Sequence, residues 1–491
     1  MNINKPQQYN MARYCLFLFI FLSVFVFFGV IHPTTVITGD EWFNLALGRG
    51  AYPEWNGFNP IKVVPEISFP LLSNIASSIL MPLGFTFLQS LTYFTALLIS
   101  LMVVIFLYQF FLLITKELTY SSYTGCVLTL FFLLCMFGLF RTLNNNNSTY
   151  MLWEQNITCY YHYFLPAVMN GTFSLYLVRK GINVNIIFEK KPIKAGFLFL
   201  IAYLCIFSNI FSNIILSITC GSLILLELIS NKFNIKSTFK NHWFHLLIII
   251  VWIISAIFES NGGRAERMAK GQLEIINSFN SALSLSSQTD FIFLAVLVIG
   301  FVTSVVALGV KSKNAQRSSH IFYVSVITGL LSFIAIILIC AKSSSGYAAK
   351  PVVMWGVIMN IIICASIGIG YLMRFKFVNY FVPVVLLMLI NVATNQNHSL
   401  KEPQNGNLPY AIANLVSQDM IDQVKAAVDA DKRTMTLFVP KCSGEQNWPI
   451  PITRGREISA TLKSNGVIRN NIHIDIQPDI NVNRRLGVPV F

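Results

Sequence analysis

The sequence predicts an all-α polytopic membrane protein of about eleven transmembrane helices followed by a small C-terminal α/β domain. Three observations predict it. Hydrophobic residues make up 55% of the 491-residue chain and charged residues 11%, whereas an ordinary soluble domain carries about 25% charged residues. The mean hydropathy is +0.62. Apolar runs long enough to cross a bilayer recur up to residue 393, and the composition turns polar after Asn391. These features exclude a disordered chain and a conventional cytosolic enzyme. The net charge of +14 does not require nucleic acid as a partner, because Lys and Arg concentrate in the cytoplasmic loops of membrane proteins.

The first apolar run, Cys15 to Ile31, follows Lys5 and Arg13 and is succeeded by His32-Pro33 rather than a small-residue cleavage site. It reads as an uncleaved first helix with its N-terminus in the cytoplasm. Further runs lie near 86–113, 124–140, 160–178, 195–212, 213–230, 243–258, 290–310, 320–341, 351–373 and 377–393. The stretch 195–230 is interrupted only by Ser208-Asn209 and Ser212-Asn213, and we divide it there into a helical hairpin. The charge distribution supports the division. With eleven spans, sixteen Lys and Arg fall in the expected cytoplasmic segments and eight in the opposite loops, which also places the C-terminus outside the cytoplasm.

Three outer segments, 33–85, 141–160 and 259–289, are too long to be turns. Within the first, Ile67 to Leu83 is semi-apolar and broken by Pro70 and Pro82, so it lies along the membrane surface or re-enters it. No repeat of 20–50 residues is visible. Residues 1–393 thus form the transmembrane domain and 394–491 a periplasmic α/β domain. Pro403, Gly406 and Pro409 mark the linker; a helix over 412–431, a strand over 434–440, a short helix over 457–463 and a strand over 467–476 follow. Seven of the nine cysteines sit in apolar runs, and no Cys/His spacing suits a structural metal. No visible motif requires a divalent metal or other cofactor.

The strongest local signal is Gly39-Asp40-Glu41-Trp42-Phe43-Asn44, two adjacent carboxylates beside aromatics just after the first span. One of them could take the proton of an attacking sugar hydroxyl, with Glu41 favoured for its reach and Asp40 orienting the acceptor. Trp42 could form a stacking wall. The alternative is that Asp40 or Glu41 caps a helix and Trp42 anchors at the interface. A second signal, Arg264, Arg267 and Lys270 at successive third positions after Gly262-Gly263, suits phosphate, since guanidinium groups bind it bidentately. Pairing with Glu259, Glu266 and Glu274 is the alternative. Trp153, Glu154 and His162, at the head of a span, could line a sugar cleft or belong to an aromatic belt. In the tail, Cys442 and Arg485 are possible contacts for glycan or lipid. Cys159 and Cys442 are the two cysteines outside the membrane core, and whether they pair is open.

This arrangement resembles the GT-C class of membrane glycosyltransferases, which carry an acidic residue directly after helix one, where Asp40-Glu41 stands here. Within that class, the length, the span layout and the outer C-terminal domain look like the bacteriophage-encoded serotype-conversion glucosyltransferases. The resemblance covers the chain as architecture. As motif it rests on Gly39-Asp40-Glu41-Trp42, more loosely on Gly263-Arg264, and on a cysteine and basic residues in the tail. It implies a bacterial inner-membrane enzyme that moves glucose from undecaprenyl-phosphate glucose to lipid-linked O-antigen on the periplasmic face, with inversion. It also implies a companion glucosyl-lipid synthase and a flippase. A transporter or flippase, or a ligase or polymerase, of polyisoprenoid-linked glycans is the rival reading. Charged residues buried mid-span, which would favour transport, are scarce.

Overall fold

The computed structural model describes residues 5–140, 151, 154, 156–268, 273–309, 315–394 and 408–489. Nine helices among the described residues are long and apolar enough to cross a membrane. Following the chain shows which of them do.

Helix α1 (Lys5–Val26) continues through a wider turn to Ile31. A short helix, α2 (Gly39–Leu45), and a longer one, α3 (Val63–Leu80), precede α4 (Phe87–Leu112). α1 and α4 run antiparallel: Phe17 meets Tyr108 and Phe111, whereas Gly29 lies against Tyr93. The end of α1 and the start of α4 therefore share one face of the bundle, and α3 between them has both ends on it. Although α3 is apolar enough to be counted as a span, Ser73 and Ser77 at its centre donate to Asn465 Oδ1 of the C-terminal domain, at 2.8 and 3.1 Å. It lies along the surface, the first of the two placements the sequence allowed. We call this side the domain face.

α4 starts on Thr86, whose hydroxyl accepts from Gln89 N–H, and α5 (Ser122–Gly138) returns to the domain face from a similar cap on Ser121. The three-residue turn α6 (Ile157–Cys159) leads into α7 (Leu165–Lys180), which descends to the opposite face. There α8 (Val184–Lys190) precedes α9 (Pro192–Ile206), α10 (Ile210–Ser230), α11 (Ile235–Asn241) and α12 (Trp243–Ser260). The break at 207–209 falls at the first of the two interruptions, Ser208-Asn209, a few residues before the 212/213 boundary read from the sequence; Ser212 and Asn213 lie inside α10. Asn209 is the N-cap of α10, its side chain accepting from Phe211 N–H at 2.9 Å. Asn185 before α9 bonds Asn241 O after α10, at 2.7 Å, so α9 and α10 rise and return as a hairpin.

The six-residue α13 (Gly263–Met268) and α14 (Ile275–Ser287) stay on the domain face, where Glu274 N–H bonds Ala341 O and Asp290 N–H bonds Leu139 O. α15 (Phe291–Leu308) descends from an Asp290 cap, α16 (Ala315–Ser343) rises, α17 (Trp355–Leu372) descends and α18 (Lys376–Thr394) rises. Counted this way the chain crosses eleven times among the described residues. Two spans, α5 and α9, are short, and α7 is the most polar.

Residues 408–489 form a right-sized βαβ unit: α19 (Tyr410–Asp429), β1 (Thr434–Val439), α20 (Gly455–Ser464), β2 (His473–Pro478) and α21 (Ile480–Leu486). The two strands pair in parallel, Thr434 against His473 through Val439 against Pro478. The unit does not stand apart. Its core continues through Val36, Ile37, Trp42, Leu45 and Phe69 of the first outer segment. Thr35 donates to Asn414 and Ser417 to Val36 O.

Candidate functional site

A cavity of about 560 Å³ opens on the domain face. Its floor is the start of α10, Asn209 to Phe211; Trp252, Ala256 and Glu259 of α12 form one wall, and Ile339 and Lys342 of α16 the other. Arg264 to Glu266 of α13 roof it, and Lys62, Tyr163 and Tyr347 close the back. The lower walls are largely apolar, and Arg264 and Lys62 in the roof and back stand together with the carboxylates Glu259 and Glu266; an apolar slot beneath a basic pair is the polarity of a lipid that ends in an anion.

The roof is held by the first outer segment. Gly263 N–H donates to Gly57 O and Arg264 N–H to Phe58 O, each at 3.0 Å. A Cβ on Gly262 would come within 2.5 Å of the Pro60 ring, so the close approach needs glycine. Arg49 fixes the same loop from below, donating to Asn59 O, Pro60 O and the Glu66 carboxylate. This clamp delivers Lys62 to the cavity.

Arg264 Nη2 donates to the hydroxyls of Tyr163 and Tyr347, each at 3.3 Å. Among the described residues no carboxylate lies within ion-pair distance of it. Lys62 is 4% exposed, with Nζ 5.8 Å from the Tyr163 ring centre. Burial, reinforced by Arg264 and opposed by Glu259 and Glu66, brings its ammonium down to about 7. Lys350 lies over the Tyr347 ring at 4.8 Å. Glu259 is the half-buried carboxylate beside both Lys62 and Arg264; two basic groups against it leave charge that a ligand anion can match.

The Asp40–Glu41 corner is built differently. Glu41 is wholly buried, and its Oε2 accepts from the N–H groups of Ile37 and Thr38, at 2.6 and 2.5 Å. It is the carboxylate of a helix cap, not a group open to an acceptor. Burial outweighs those bonds and raises its carboxyl to about 7. Asp40 is the exposed member of the pair, and only its backbone oxygen is engaged, by Asn44. Neither lines the cavity. Trp42 is no stacking wall: it is fully buried in the core shared with the C-terminal domain.

Glu154 is buried, and burial holds its carboxyl well above the ordinary range despite Lys350. Glu154, Lys350 and Glu41 all act on the Cys159 thiol, so they occupy one neighbourhood behind the cavity. His162 is buried there too; its backbone oxygen accepts from Asn209 Nδ2 at 2.7 Å. In the tail, Arg485 pairs with Asp419 at 2.9 Å on the domain surface. Cys442 is a buried free thiol, as Cys159 is a half-buried one. Trp153, Lys270 and the Arg267 side chain lie outside the described residues.

The structure therefore gathers Arg264 with Lys62, Tyr163, Tyr347 and Glu259, none of which the sequence singled out for this site except as a pairing partner. The one readable signal was a basic residue in an outer loop just before a semi-apolar run, at Lys62-Val63. Neither a protein-family profile nor a curated protein matches the chain.

Proposed function

We infer that this multi-pass membrane protein is a glycosyltransferase that takes its sugar from a polyprenyl-phosphate donor and transfers it to a lipid-linked glycan. The observation that carries the reading is the cavity itself, with Arg264 and Lys62 above apolar walls of α10, α12 and α16. A phosphate fits the cations, and an isoprenoid chain fits the slot between α12 and α16 below them.

In this reading an acceptor hydroxyl attacks the anomeric carbon from the face opposite the phosphate, with inversion. The bond to the phosphate oxygen breaks, and the proton passes to a carboxylate. The leaving phosphate gains charge, and Arg264 and Lys62 stabilise it there. With Glu41 engaged as a cap, the base in the first outer segment is Asp40. Glu266, exposed at the cavity rim, is the competing carboxylate. The resemblance supplies the finer identities: undecaprenyl-phosphate glucose as donor, lipid-linked O-antigen as acceptor, and the periplasmic face of a bacterial inner membrane as the place; Lys5 and Arg13 before the first span support an N-terminus in the cytoplasm.

The test is structural comparison of the cell-surface glycan with and without this gene. A new branch sugar that disappears in Arg264→Ala supports transfer. An unchanged branch pattern with altered chain length, or with O-antigen lost, overturns it in favour of a polymerase, ligase or flippase.

A further inference from the structure

A second cavity, of about 430 Å³, lies on the face opposite the C-terminal domain, where the ends of α4, α7 and α10 meet the starts of α12 and α16. Unlike the first it is polar. Three of its wall residues present buried ring or guanidinium nitrogens with no hydrogen-bond partner among the described residues: Arg179 Nε, His242 Nε2 and His320 Nδ1. His242 is 2% exposed. Orphaned buried nitrogens are rare, and three on one cavity wall call for a common acceptor.

The surrounding bonds fix what each nitrogen can do. His242 Nδ1 lies 3.3 Å from His245 Nδ1. If His245 donates across that contact, His242 Nδ1 accepts and its Nε2 carries the hydrogen, directed at the cavity. Arg179 gives Nη1 to Gln109 and keeps Nε–H. Arg317 is already engaged, pairing with Glu117 at 2.9 Å and donating to two carbonyls at the end of α7. Glu227 accepts from Asn231 and is the lining carboxylate whose charge acts on His242 and His320. Among the described residues no carboxylate lies within ion-pair distance of Arg179 or Lys180. His242 is also the N-cap residue of the 18-residue α12 and makes no side-chain cap bond.

The geometry points to a binding site for a phosphate-bearing ligand in this cavity, with Arg179, His242 and His320 donating to the phosphate oxygens and Lys180 at the rim. The volume exceeds that of a bare phosphate, so the ligand carries an organic group: a soluble phosphomonoester or the headgroup of an anionic phospholipid. The site is separate from the domain-face cavity and does not depend on the glycosyltransferase reading.

The experiment uses the full chain carrying Arg264→Ala, so that the domain-face cavity contributes little, in nanodiscs of phosphatidylcholine. One arm titrates glycerol phosphate at constant ionic strength held with sodium chloride; the other adds phosphatidylglycerol to the discs. The thermal unfolding midpoint is followed in both. A saturable rise in the first arm identifies a soluble phosphate ligand, and a rise confined to the second identifies a headgroup. In either case Arg179→Gln and His320→Leu should weaken the apparent affinity by roughly tenfold or more, the usual effect of losing a hydrogen bond to a charged group. His320 is half-exposed, so its variant keeps the test alive if Arg179→Gln does not fold. No saturable rise in either arm, or a rise unchanged in both variants, overturns the site.

Discussion

Two places on the domain face looked equally chemical in the sequence, and the structure separates them by where their partners come from. Around Glu41 the partners are mostly local, the N–H groups of Ile37 and Thr38 within four residues, joined by the Ile157 backbone from the turn before α7. Around Arg264 they are remote: Tyr163, Tyr347, and Lys62 with the Phe58 carbonyl, brought from three different segments. A carboxylate held chiefly by its own turn completes a helix, which is architecture. Basic groups brought from distant segments around a void, with the Glu259 carboxylate beside them, make a place for a further anion.

The widest test of this contrast compares carboxylates. Asp40→Asn should lower transfer by about 10²–10⁴-fold, the range of a general base, while Glu266→Gln stays near wild type, in a reconstituted assay with donor and acceptor. The reverse result would move the base to the cavity rim and leave the whole first segment as scaffold. Next in size, Arg264→Ala should weaken donor use on the order of 10–100-fold, and Arg264→Lys less, because the charge remains while the planar fork is lost. Equal rates and donor affinities in wild type and Arg264→Ala would break the comparison at its other end.

A smaller effect should appear in pH. Burial brings the Lys62 ammonium down to about 7, and an anionic donor binds its protonated form. Donor affinity should therefore hold at lower pH and fall above about 7, at most tenfold per unit; Lys62→Met should flatten that limb. A profile unchanged by Lys62→Met would remove Lys62 from the site. The smallest effect is expected at Glu41. Its carboxyl is raised from 4.5 to about 7 by burial, so the folded state favours the neutral form. That contribution to stability is present below 4.5 and is lost as pH rises through about 7. Glu41→Gln keeps an acceptor for the two N–H groups and stays neutral, so its unfolding midpoint should vary less between about pH 5 and about pH 8. Transfer activity should be retained. Loss of transfer in Glu41→Gln with an intact fold would return the base to Glu41.

The helices were legible because each span is an uninterrupted apolar run and the breaks carry their own chemistry; Asn209, Ser121 and Asp290 start helices just where side-chain caps belong. The tail was legible in part, in alternation and helical period: its second strand begins at His473 rather than at 467, and α21 had no signal of its own. The Glu41 cap was also written in the sequence, since Thr38-Gly39-Asp40-Glu41 has the spacing of a capping box. The base reading gave more weight to the unusual acidic pair than to that local rule. Trp42 was misplaced because nothing near it in sequence reveals that its core neighbours arrive from residues 408–488. Lys62 was missed because a lone lysine has no motif, and its meaning comes from Arg264 and Tyr163 across the fold.

The core shared by the first outer segment and the tail sets an order of events in biogenesis. Thr461 bonds the Trp42 carbonyl across 419 residues, and Asn465 closes over Ser73 and Ser77. At about 5–20 residues per second, a ribosome needs roughly 20–80 s between making Trp42 and making its lid. For that time a wide apolar patch emerges from the first span with nothing to cover it, at the membrane surface where an incomplete chain is most open to capture by chaperone or protease. A nascent chain stopped before residue 408 should be cleared even though every span is already in place.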